Sequence, residues 1–128
     1  MAAMTDYLED KIRGHVLQNT AYTSPTTVYA ALFSDATDDT GGGTEATGGS
    51  YARQSVAFSS GASGTGAAES SADVTFSNMP ADTWTHLALF DAASSGNMPL
   101  HGPLSASKTT ASGDDLVIEA GDIDVVFG

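Results

Sequence analysis

Gly48-Gly49-Ser50-Tyr51-Ala52-Arg53-Gln54-Ser55-Val56-Ala57-Phe58 is the stretch whose period decides the fold. From Tyr51 onward the side chains alternate. Ala52, Gln54, Val56 and Phe58 fall on one face, and Tyr51, Arg53, Ser55 and Ala57 on the other, which is the pattern of a β-strand with two unlike faces. The glycines and serine before it supply the turn that opens the strand. Arg53 is one of only four Lys/Arg residues against sixteen Asp/Glu. A cation inside an alternating strand of so acidic a chain is expected to hold a carboxylate, within the fold or across a subunit boundary. Tyr51 and Arg53 are therefore structural or interface candidates.

Upstream of this stretch, residues 35–50 contain five glycines and four acids and read as a loop. Residues 26–33, rich in β-branched and aromatic side chains, read as a strand. Downstream, residues 60–71 read as a second small-residue loop. Short strands follow at 72–76, 84–90 and 98–104, with a hairpin turn at Ser94-Ser95-Gly96-Asn97. Residues 116–119 and 123–127, joined by Ala120-Gly121-Asp122, read as a closing hairpin. Seven or eight short strands with turn signals between them predict a mainly β fold, an antiparallel β-sandwich or jelly-roll-like barrel with one N-terminal α-helix. No linker divides the chain, so residues 1–128 are expected to form one domain, with the helix within 1–18 and the sandwich over 26–128.

The helix signal covers residues 5–18. Thr5 is a good N-cap. Asp6, Glu9 and Asp10 precede Lys11, Arg13 and His15, an order that complements the helix dipole. Met4, Leu8, Ile12 and Val16 recur every four residues as an apolar stripe, with Leu17 beside it. A single short helix cannot bury its own stripe, so Leu8 and Ile12 are expected to lie on a sheet or on another chain.

Composition narrows the function classes. With no cysteine, disulfides, thiolate metal sites and a cysteine nucleophile are excluded. The formal net charge is −12, so a phosphate backbone or an acidic membrane surface would repel the chain. No apolar run reaches the roughly 18 residues of a membrane span. The first residues, neither basic nor followed by an apolar segment, do not read as a signal peptide.

Candidate chemistry is sparse. His15, His86 and His101 make no His-x-x-x-His pair, and no Gly-x-Ser-x-Gly elbow is present. His86 reads as a half-buried packing residue beside Trp84, and Trp84 as the core anchor of its strand. Asp35, Asp38, Asp39 and Glu45 sit in a glycine-rich loop, as calcium ligands can. Their spacing departs from the calcium-loop pattern, and a solvated, mobile loop is the preferred reading. No catalytic residue, metal or cofactor is expected, and the chain reads as a non-enzyme.

Three further segments complete a pattern: Tyr22-Thr23-Ser24-Pro25-Thr26-Thr27-Val28-Tyr29-Ala30-Ala31-Leu32-Phe33, then Thr85-His86-Leu87-Ala88-Leu89-Phe90-Asp91-Ala92, then His101-Gly102-Pro103-Leu104 with Lys108-Thr109. Together with Gly41-Gly42-Gly43-Thr44-Glu45 and the Tyr51-Ala52-Arg53-Gln54 strand, this order resembles a family of small virion structural proteins of tailed bacteriophages, often labelled tail fibre proteins. The resemblance covers almost the whole chain, and its most specific parts are Tyr-Ala-Arg-Gln and Phe-Asp-Ala. It implies a particle component and supplies no catalytic residue. Long trimeric fibres use repeats or coiled coils, and neither is visible here. A compact acidic β-domain favours a capsid decoration (cement) protein on the outside of the shell, bound to the major capsid protein and forming homo-oligomers, a trimer first. The alternatives are a small tail fibre or adaptor subunit and, more distantly, a carbohydrate-binding β-sandwich.

Overall fold

The computed structural model describes residues 2–127. In chain order its elements are β1 (Ala3–Met4), α1 (Asp6–Leu17), β2 (Val28–Phe33), β3 (Gln54–Val56), β4 (Phe58–Ser60), β5 (Ala67–Ser70), β6 (Val74–Met79), β7 (Asp82–Phe90), β8 (Leu100–Thr110), β9 (Asp114–Ile118) and β10 (Asp124–Val126). The strand pairings are antiparallel. Five strands form one sheet in the order β1-β8-β7-β2-β3, and the rest form a three-stranded sheet, β10-β5-β4, and a two-stranded ribbon, β6-β9.

The inner face of the large sheet packs on both small ones. Leu32 of β2 and Leu87 and Leu89 of β7 share one buried cluster with Phe76 of β6, Leu116 and Ile118 of β9, and Val125 of β10. The result is the β-sandwich with an N-terminal helix that the alternation predicts. Register explains why β2 and β7 are so apolar. Ala30 opposes Leu89 and Leu32 opposes Leu87, and these four face the sandwich core. The intervening pair, Ala31 and Ala88, joins Phe33, Phe90 and Met98 in a second buried cluster on the outer face. The two central strands are thus covered on both sides, and the outer cover must come from loops.

Several boundaries differ from the sequence reading. Strand β3 begins at Gln54, not Tyr51, because residues 48–51 close a turn of their own: Tyr51 N–H donates to the Gly48 carbonyl at 3.1 Å and Ser50 N–H to that of Asn78 at 2.9 Å. Gly49 has φ +55°, and a Cβ there would collide with the Asn78 carbonyl oxygen, so this turn requires glycine. Phe58 continues the alternation but belongs to the other sheet, since the chain crosses over at Ala57. The expected loop at 60–71 contains β5. The expected closing hairpin is absent: β9 pairs with β6 and β10 with β5, so their apolar positions cover two separate sheets. Short strands of this kind show alternation clearly and pairing partners not at all.

The helix spans Asp6–Leu17 and is capped by Thr5, as the sequence predicts, with the Thr5 Oγ1 accepting from Leu8 N–H at 3.4 Å. Met4 leaves the stripe and pairs in β1 with Leu100. Of the apolar stripe only Leu8 docks. Leu8 is buried in the core, whereas Ile12, Val16 and Leu17 are 38%, 69% and 76% exposed. No helix of the described residues is long and apolar enough to cross a membrane.

Candidate functional site

The outer face of the large sheet is closed by a clamp centred on Arg53. Its Nε and Nη2 donate to the two Glu45 carboxylate oxygens at 2.9 and 2.8 Å, a two-point pair that only a guanidinium makes. Nη1 donates to the carbonyls of Ala92 and Ser95 at 3.0 and 2.8 Å. The guanidinium carbon lies 3.5 Å from the centroid of the Phe90 ring, so its flat face roofs the outer cluster. Three parts of the chain meet here: the loop before β3, the segment after β7, and β7 itself. The Arg53 side chain is 8% exposed and Glu45 25%.

Tyr51 belongs to the same clamp. Its hydroxyl donates to Glu45 Oε2 at 2.8 Å and accepts from Leu32 N–H at 3.2 Å. Its ring stacks on Phe76 with centroids 5.9 Å apart. Burial first, and the Glu45 charge second, push the phenol well above its ordinary value.

The acidic loop is tied down by its own hydrogen bonds, in place of the mobile loop expected from composition. Asp35 accepts from Thr44 N–H and Oγ1, at 2.6 and 2.8 Å. Asp38 accepts from Thr40 N–H and Oγ1 and from Gly42 N–H, at 2.7 to 2.9 Å. These bonds, led by the Thr44 and Thr40 side chains respectively, hold both carboxyls below their ordinary value. Asp39 bonds His101 Nε2 at 2.9 Å, while His101 Nδ1 meets Thr37 Oγ1 at 2.8 Å, so β8 holds the loop at two points two residues apart. The four carboxylates point to four different sets of partners. Among the described residues no group of three or more His, Asp or Glu side chains converges as a metal site.

The remaining candidates lie elsewhere. Trp84 is 1% exposed in the sandwich core, and its Nε1 donates to Thr110 Oγ1 at 3.0 Å. His86 is half-buried, with Nδ1 2.8 Å from Thr85 Oγ1. Leu8 is core, and Ile12 is exposed. Arg53 and Tyr51 are therefore brought together, and Trp84, His86 and the helix pair are not. Sequence reasoning named Thr5 as the helix cap but missed its burial, with the hydroxyl donating to Met98 O at 2.6 Å and tying the helix to the chain before β8. It also missed Phe90 as the floor under Arg53. A second surface feature is an apolar groove of about 310 Å³ at one end of the sandwich, lined by residues that include Leu8, Tyr22, Val28, Phe58, Val125 and Phe127.

Fold and clamp together define a small antiparallel β-sandwich whose most elaborate polar cluster fastens loops to a sheet. The family model described as Podophage GP4 fiber I protein gp80 matches residues 3–126, and the chain belongs to that family. It is thus a bacteriophage structural protein, associated with the virion. No curated protein matches the chain.

Proposed function

We propose that this chain is a non-enzymatic fibre subunit of a phage tail, acting only through protein–protein contacts. The observation that carries this reading is the fibre-protein family match, which spans residues 3–126 and so takes in the whole sandwich. The chain has no repeat or coiled-coil segment, so its place is a base or tip domain of a fibre rather than the shaft. The clamp suits such a part: it holds the outer-face loops in one shape, so that a partner meets a preformed surface and little ordering entropy opposes docking.

A second reading is a decoration protein on the capsid exterior. The net charge of −12 favours it, because packaged DNA repels such a chain outward. The charge is equally compatible with a tail fibre, and the fibre reading comes first because the matched family is described by a fibre protein. Quantitative mass spectrometry of purified particles separates the two. A fibre subunit is present in low multiples of the tail symmetry, and a decoration protein in hundreds of copies.

A further inference from the structure

The tethers of the outer face surround a cavity of about 430 Å³. Its walls include Asp6 and Tyr7 of α1, Asp39 of the acidic loop, Phe90 of β7, and Asn97 and Met98 of the segment before β8. These walls are pinned to their neighbours. Asp6 N–H donates to the Asp39 carbonyl at 2.9 Å, and the Thr5 hydroxyl donates to Met98 O at 2.6 Å. Asn97 N–H and Nδ2 donate to the two Asp91 carboxylate oxygens at 2.8 and 3.1 Å. The cavity is thus formed before any ligand arrives, which lowers the ordering cost of filling it.

The groups left over in this cavity are acceptors. The N–H and hydroxyl of Thr40 and the N–H of Gly41, which also line it, already donate to Asp38. The Asp6 carboxylate has no partner among the described residues. Asp39 gives only Oδ1 to His101, and Asn97 keeps its side-chain carbonyl oxygen. No Lys or Arg lines the cavity. A ligand that fills it must bring positive charge and several donors. Arginine does: its guanidinium spreads five N–H donors over one plane and has no acceptor, whereas the donors of lysine radiate from a single atom. Tyr7, Phe90 and Met98 suit the methylene stem. We propose that the cavity receives an arginine side chain of the virion protein on which this subunit docks. The docking role rests on the fibre-subunit reading, and the preference for arginine stands apart from it.

Titration of the purified chain with acetyl-arginine amide, followed by backbone amide resonances, tests the preference. Saturable shifts are expected at Tyr7, Gly41 and Asn97, and acetyl-citrulline amide, the uncharged analogue, should produce none. Asp6→Asn with Asp39→Asn should weaken binding about tenfold, because two charged acceptors become neutral ones. Asn at 39 keeps an oxygen for His101, so circular dichroism should not change. Glu9→Gln removes an exposed carboxylate from the same helix outside the cavity, and should leave binding within about twofold. Absent shifts at these amides, equal shifts with the citrulline amide, or a double variant that binds like the wild type each overturn the proposal. In phage particles the double variant should be depleted, as counted by mass spectrometry against wild-type particles. Undiminished incorporation overturns the docking role. Wild-type copies in the hundreds overturn the fibre reading instead, and the titration then decides the arginine preference alone.

Discussion

Arg53 meets Glu45 through two parallel hydrogen bonds of 2.9 and 2.8 Å, although eight residues and a turn separate them in the chain. The pair closes the loop over Phe33 and Phe90, apolar residues of the large sheet that the small sheets do not reach. Stability of the outer face therefore depends on an ion pair where the inner face depends on packing.

Arg53→Ala leaves Glu45 and two carbonyls without their cation in a mostly buried setting, and should destabilise the protein by about 3 kcal/mol. Arg53→Lys keeps the charge but loses the fork and the flat contact with Phe90, and should recover less than half. Urea unfolding midpoints at constant slope measure both. A loss below about 1 kcal/mol for the alanine variant would mean that the pair behaves as a surface one.

The helix should respond unequally along its length. Leu8→Ala removes a core side chain and should cost about 2–5 kcal/mol. Leu17→Ala, at a residue 76% exposed, should stay within about 0.5 kcal/mol in a dilute monomer. Equal losses in thermal unfolding would contradict the shallow docking of α1.

Acid should loosen the 35–45 loop before it unfolds the sandwich. Asp35 and Asp38 titrate below the ordinary 3.8 when folded, so their contribution is complete above that value and is lost as pH falls through the lowered ones. Amide resonances of Thr44, Thr40 and Gly42 should move together in that window. Unchanged amide shifts there would exclude the carboxylate bonds.

Alkali acts on Tyr51 in the opposite sense. Its folded value is raised, so the stability it contributes is complete below the ordinary 10.0 and declines as pH rises beyond it. Of the four tyrosines, Tyr51 should be the last to ionise in an ultraviolet absorbance titration, and only with unfolding. Tyr51→Phe should remove that late step.

How far the sequence speaks to this structure depends on distance along the chain. The Thr5 cap, the apolar faces of β2 and β7 and the buried Trp84 follow from local pattern, because each is fixed by residues within a turn or a strand. A carboxylate partner for Arg53 is foreseeable from charge scarcity, but Glu45 as that partner is not, since a glycine-rich loop sets no spacing. The pairing of β9 with β6 and of β10 with β5 was hidden for a similar reason. Two adjacent short strands with a turn between them suit a hairpin equally well, and only the competition among sheets for apolar cover decides. The helix stripe was visible. Its exposure was not, because periodicity shows an apolar face without showing what meets it.

Cryo-electron microscopy of the phage particle tests the central claim most directly. The account predicts density for this β-sandwich at the tail fibres, with the Arg53 clamp ordered and a copy number set by tail symmetry. Density confined to the capsid faces, or particles that lack the chain altogether, would contradict it.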